Sequence, residues 1–284
     1  MHPPQSRQRL APPLVALALA CCLASACGSG SESDQPTARP AASSSAPSSS
    51  APSRSSASSQ AVRPTVAAER PGVAECLENH PATTISPEEL AAWEVSGPAE
   101  TGVIDTDEGP VVRFKGTIES PDSVALLSPD AYAEDLIVRF RIRFGKPKSI
   151  AVTLLSASTA GTGELLVMPD EHPDWLFWGH PTDARAQSYL FSIHTAFHQR
   201  DALLRKRPGR GRLHATPDTV SEEGRWYTLE MGKMGDRVWM DRDGEPFLEA
   251  TDPDPLPGGR VGFLFTAEGN AGFQIADVSV VECS

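Results

Sequence analysis

The sequence predicts an all-β fold, an antiparallel β-sandwich, over residues 71–284. Three observations predict it. Leu136, Val138, Phe140, Ile142 and Phe144 alternate with Ile137, Arg139, Arg141 and Arg143, the period of a half-buried strand. Short apolar runs recur along the whole stretch, separated by Gly, Pro and Asp turn signals. Helical signals are confined to one short segment.

That segment is Ser86-Pro87-Glu88-Glu89-Leu90-Ala91-Ala92. Ser86 is placed to cap it, and Pro87 stands at the first helical position. After the strand at 136–144, further strands are expected at 150–155, 165–168 and 189–194. Trp226 to Met231 and Arg237 to Met240 form a hairpin across the Gly-containing connection 232–236. Asp241-Arg242-Asp243-Gly244-Glu245 turns the chain into a strand from Pro246 to Ala250. Strands at 261–265 and 273–281 close the domain. Many short strands and few helices indicate a sandwich.

Residues 1–26 read as a lipoprotein signal peptide. Arg7 and Arg9 make a basic start, and Leu10 to Ala26 is apolar but broken by Pro12 and Pro13. Leu23-Ala24-Ser25-Ala26-Cys27 resembles a bacterial lipobox, in which small residues precede an acylated cysteine. Cys27 is the expected lipidation site; Cys21 and Cys22 are alternative anchors, and an ordinary secretory signal cleaved after Ala26 is the other reading. Residues 27–70 read as a disordered tether rich in Ser, Ala and Pro, with a reach of roughly 35 Å. The protein is thus expected outside the cytoplasm, lipid-anchored at the bacterial cell surface or in the periplasm, touching membrane through its anchor only.

Apolar content of 39% suits a globular domain and excludes a multi-span membrane protein. A formal charge of −12 argues against a general nucleic-acid binder. Cys76 and Cys283 flank the globular part, and outside the cytoplasm such a pair is most simply a disulfide. That pairing requires both ends of the domain to meet. A monomer is expected.

The C-terminal part has a recognisable grammar. Trp226-Tyr227-Thr228-Leu229 leads to the Asp243-Gly244 hairpin. Asp252-Pro253-Asp254-Pro255-Leu256-Pro257-Gly258-Gly259-Arg260-Val261-Gly262 follows, and then the closing strand 273–281. This pattern resembles the concanavalin A-like lectin/glucanase superfamily, and within it the YesU-type and 3-keto-disaccharide hydrolase domains. Leu203 to Gly209 is similar to the "R-K-N-P" segment of the YesU-type branch, with Arg207 where Asn is common. The likeness is strongest over residues 222–282. It implies a jelly roll whose first and last strands are neighbours and whose concave face carries a carbohydrate groove. It does not imply a reaction, because many such sandwiches only bind sugars.

The candidate chemistry follows from residue type and spacing. The carboxylate run used by retaining glucanases, with acids ~5.5 Å apart, is absent. Asp241-x-Asp243-x-Glu245 comes nearest but reads as solvated turn residues, and too few ligands follow for a calcium loop. His194 and His198 would converge on a helix, but on a strand they stand ~13 Å apart. They read as surface residues or as a base and sugar-binding pair beside Arg200; no metal is expected. Arg139 and Arg141, with Arg143, line either the solvated face or a groove for uronic-acid carboxylates. Arg205, Lys206, Arg207, Arg210 and Arg212 read as a mobile basic loop or a second anion site. Trp175 and Trp178 stack on pyranose rings or plug one end of the sandwich. Trp93, Trp226 and Trp239 are assigned to the core. No G-x-S-x-G elbow, P-loop or dinucleotide fingerprint occurs, and no cofactor is expected.

The expected function is engagement of an extracellular saccharide, with an acidic glycan as one option. As a glycoside hydrolase or lyase, the protein would place His194, His198 and Arg205 at the scissile bond. As a lectin-like module it would use Trp175, Trp178, Arg139, Arg141 and Lys206 for binding. A structural cell-envelope lipoprotein is the third reading.

Overall fold

Leu136–Phe144 sits at the centre of one of two sheets and decides which way that sheet faces. The structure, a computed structural model, describes residues 70–97, 99–116, 123–145, 149–167, 185–195, 201–209, 211–217, 219–267 and 272–283. His198, Trp175, Trp178 and Cys27 lie outside the described residues. The described chain contains helices α1 (Val73–Asn79) and α2 (Pro87–Ala91). Its strands are β1 (Thr83–Thr84), β2 (Glu94–Ser96), β3 (Ala99–Thr106), β4 (Gly109–Gly116), β5 (Ser123–Leu127), β6 (Leu136–Phe144), β7 (Ser149–Thr159) and β8 (Ala186–His194). They continue as β9 (Ala202–Arg207), β10 (Gly211–Thr216), β11 (Trp226–Met234), β12 (Arg237–Arg242), β13 (Glu245–Thr251), β14 (Arg260–Ala267) and β15 (Gly272–Glu282).

Sheet A has the order β13-β12-β11-β6-β15-β4-β3, with β1 beside β15; sheet B has the order β10-β9-β8-β7-β14-β5-β2. The strand ladders are antiparallel. Strands β14 and β15, late in sequence, insert beside β7 and β6, so the sheets close through long crossovers. This is the jelly-roll arrangement.

The main core lies between the sheets. Leu136, Val138, Phe140, Ile142 and Phe144 meet Leu126, Leu155, Phe191, Leu204 and Phe263 there. Its aromatic centre links Phe114, Phe265, Phe273 and Phe144 in sequence, at centroid distances of 4.9, 4.3 and 5.3 Å. Trp93 packs against Phe263 in the same core. Ser86 caps α2 as its sequence predicts: its side chain accepts from the Glu89 amide while Glu89 accepts from the Ser86 amide.

Strands β7 and β8 do not alternate, because they are buried on both faces. Their outward side chains Val152, Leu154 and Leu190 build a second apolar cluster with Leu264 and Leu127 on the far side of sheet B.

Several expectations are corrected. Residues 73–79 form a helix that the sequence does not announce; no side chain caps it. It lies on the outer face of sheet A, where Val73 and Cys76 cover Ile137, Trp239 and Val281. Trp239 therefore belongs to this satellite cluster and not to the core between the sheets. Its ring fills the space above Gly232, where a Cβ would stand 2.3 Å from the indole. Trp226 is half-buried on the same outer face beneath Arg141. The basic segment from residue 202 is not a mobile loop: β9 and β10 pair as a hairpin. Only Leu165 of the expected strand at 165–168 makes a bridge, to Ser158, and Met168 lies outside the described residues. Strands β2 to β5 were not expected. Cys76 and Cys283 are bonded, their Cα atoms 5.2 Å apart.

Candidate functional site

Of the residues singled out from the sequence, the fold brings two onto one face. Arg205 pairs with Leu190 across β8 and β9, and both side chains point away from the core, as does His194. His194 is 4% exposed. Burial, with a smaller contribution from the Arg205 charge and against the pull of Asp201, lowers its pKa to about 4. The imidazole is therefore neutral near pH 7, and its Nε2 has no hydrogen-bond partner among the described residues.

A histidine with a folded pKa below its unfolded value binds its proton better when unfolded. Stability is then full above about pH 6.5 and falls as pH drops toward 4. We expect His194 to cost about 2 kcal/mol between pH 8 and pH 5. Urea unfolding of the wild type and His194→Gln at both pH values checks this; equal pH slopes in the two proteins would contradict it.

Lys206, next in the chain, points the opposite way. It pairs with Tyr189 in register, and its Nζ lies 2.9 Å from Asp252. Tyr189 donates to the same carboxylate at 2.6 Å, and the Leu256 amide donates to the Tyr189 hydroxyl at 3.0 Å. Burial alone would raise the Asp252 carboxyl, but hydrogen bonds from Tyr189 and Lys206 hold it below its usual range. Lys206 also donates to the Asp254 carbonyl. Its charge is spent pinning the loop after β13 to sheet B.

Arg139 and Arg141 lie on the outer face of sheet A, remote in the fold from His194 and Arg205, which belong to sheet B. Arg139 is 2.6 Å from Glu230; Arg141 is 2.7 Å from Glu108 and 2.5 Å from Asp277. Its guanidinium also stacks on Trp226 at 4.9 Å. Both arginines already hold carboxylates of their own chain. Nor is Asp241 a solvated turn residue: it is a buried β12 side chain held by Arg70.

The cavity that the sequence reading missed lies where the β12–β13 turn meets the start of β11. It encloses about 340 Å³ and is lined by Glu222, Arg225, Tyr227, Arg242, Asp243 and Glu245, with Val220, Pro246 and Phe247. The turn is shaped by Asp243 and Gly244, at φ 55° and 85°. Asp243 accepts from the Thr228 amide at 2.9 Å and from Arg225 at 2.9 Å. Arg225 also reaches Glu222 at 3.2 Å and lies 4.7 Å over the Tyr227 ring. The Glu222 amide donates to the Tyr227 hydroxyl.

Arg242 forms the inner wall. Val238 and Met240 face the core, and the period of two puts Arg242 on that side at the open end of the sandwich. Its guanidinium sits 4.1 Å from the Phe247 centroid and 5.5 Å from that of Tyr227. The alternation Val238-x-Met240-x-Arg242 was the signal available in the sequence; the flanking aspartates and glycine hid it as a solvated turn.

Chemically, the cavity offers carboxylates that accept from hydroxyls and guanidinium groups that donate to them. No protein-family model and no curated protein matches the chain. Among solved structures, a protein of unknown function with a galectin-like fold from Bacillus subtilis is similar, with TM-score 0.54 and 16% identity over 70% of this chain and 92% of that one. That likeness gives the fold. The chain is a concanavalin A-like, galectin-like jelly roll. Lower-scoring matches include the carbohydrate-binding module CBM66 from Bacillus subtilis, with TM-score 0.42 and 14% identity over 71% of this chain and 95% of that one. A lichenase from a mouse hindgut metagenome matches with TM-score 0.46 and 11% identity over 72% and 99%.

Proposed function

We propose that this jelly roll engages a saccharide, and that it does so as a binding module carried outside the cytoplasm on a lipid-anchored tether. The observation that carries the reading is the cavity beside the β12–β13 turn. Its mixture of carboxylates, guanidinium groups and apolar walls matches the hydroxyls and ring faces of a sugar. The Cys76–Cys283 bond supports an oxidising compartment. No helix among the described residues is long and apolar enough to cross a membrane. The lipobox-like context of Cys27 suggests anchoring by acylation at that residue. Full-length protein applied to an array of neutral and acidic glycans, read for both retention and released sugars, tests the function. Retention without product is the expected result; retention of no glycan would sink the reading.

A second reading, glycan cleavage, is favoured by the neutral His194 beside Arg205 on sheet B. With burial holding its pKa to about 4, this imidazole takes a proton near neutral pH only when a bound substrate supplies a compensating negative charge. On this reading His194→Gln abolishes released product while retention persists.

A further inference from the structure

Arg242 is a cation without a direct ion pair among the described residues. Among the described residues, no carboxylate lies within ion-pair distance of it, and its Nη1 is buried with no hydrogen-bond partner. Its partners are two aromatic faces, Phe247 and Tyr227. Cation–π contact offsets part of the cost of leaving water but supplies no acceptor to the planar edge of the guanidinium. Burial lowers its pKa against the raising influence of Tyr227 and of the nearby Asp243 charge, and the Arg225 charge adds a smaller lowering.

The rest of the cavity is already balanced differently. Arg225 is neutralised by Glu222 and Asp243. Glu245 stands exposed at the rim, directly across the ladder from Arg242, yet forms no ion pair with it. The cavity therefore holds one guanidinium without a direct counter-ion on its inner wall, in a lining that carries the carboxylates Glu222, Asp243 and Glu245 nearer the mouth.

We propose that Arg242 receives the carboxylate of a uronic acid residue, so that the saccharide this cavity takes is an acidic one. This rests on the reading of the cavity as a saccharide site. A hydroxyl would satisfy one N–H, whereas a carboxylate supplies two acceptors in the geometry of the Nε–Nη2 edge, the side of the guanidinium that is not buried, together with a directly paired charge. Arg225 holds both Glu222 and Asp243 and so offsets part of their repulsion of the incoming group, and Glu245 is placed to accept from ring hydroxyls.

The test is calorimetric titration of full-length protein with trigalacturonate and with its carboxyl-reduced, neutral counterpart. Wild type is expected to bind the acid at least ten-fold more tightly than the neutral trimer. Arg242→Met is expected to weaken acid binding by about 30-fold or more. Arg242→Lys keeps the charge but not the fork, and is expected to fall between the two; it also serves where the methionine variant unfolds, as judged by urea denaturation. Equal binding of acid and neutral trimers overturns the carboxylate assignment while leaving the saccharide reading intact. Acid binding unchanged in a folded Arg242 variant overturns the placement. Failure to bind either trimer overturns the proposal, and the glycan array then decides separately whether the saccharide reading falls with it.

Discussion

Replacing Asp241 with alanine is expected to destabilise the protein by about 3–5 kcal/mol. Asp241 and Arg70 are each 5% exposed at the side chain and form two parallel N–H···O bonds of 2.7 Å. Burial alone would lower the Arg70 pKa, but its bonds to Asp241 and the charge of Glu249 raise it. Removing Asp241 leaves a guanidinium buried against Trp239 at 5.1 Å, with Glu249 as its remaining counter-ion. Glu249 is 39% exposed, so solvent screens much of its help and the loss falls toward the upper end of that range. The reverse change is informative too. Arg70→Met with Asp241→Leu removes both charges and should recover most of the stability, because an apolar pair there packs against Trp239. Urea midpoints of the single and double variants measure this. A single variant within 1 kcal/mol of wild type, on the scale by which exposed ion pairs are judged, would show that Glu249 alone suffices.

Arg70 also marks where sequence reasoning stops. A tether and a folded domain separated at residue 71 is a natural boundary from composition, since residues before it lack large apolar side chains. Composition is blind to a single arginine that reaches 171 residues along the chain to its partner. A fragment beginning at 71 would leave Asp241 buried without the Arg70 guanidinium, a loss with the energetic weight of a core substitution.

The same contrast runs through the fold. Strand β6 is legible because one face is core and the other is charged, so burial writes a period of two into its residues. Strand β3 is not, because Glu100, Thr101, Gly102 and Val103 lie at a sheet edge where neither face demands apolar residues. Strand β9 was hidden by its bases: Ala202-Leu203-Leu204-Arg205-Lys206-Arg207 reads as a basic loop until Lys206 is seen facing inward to Asp252. Helix α1 has seven residues and no cap; its helicity comes from packing on Trp239, which only the folded sheet provides. Of the candidate site, the shared face of His194 and Arg205 follows from strand parity and register. The cavity around Arg242 depends on which carboxylates are already taken by other cations, and ion-pair partners distant in sequence leave no local mark.

Removing the Cys76–Cys283 bond is expected to cost about 2–5 kcal/mol. The bond closes a loop with a sequence separation of 207, long enough for the chain-entropy model to give about 5 kcal/mol. The location adds a second consequence. Cys76 lies on α1, and Cys283 follows the last strand, where its amide donates to the Asp135 carbonyl. Helix α1 is fixed to sheet A by three things: the bond itself, the cluster around Trp239, and the Arg70–Asp241 pair just before the helix. Loss of the bond weakens the ordering on which the ion pair depends. The two losses should therefore fail to add: Asp241→Ala is expected to cost less in a Cys76→Ser, Cys283→Ser background than in the wild type, by about 0.5–3 kcal/mol, the range typical of coupled neighbours. Urea unfolding of the four proteins gives the coupling directly. Full additivity would mean that the pair holds Arg70 in place without help from the helix, and that the N-terminal segment is anchored to sheet A at two independent points.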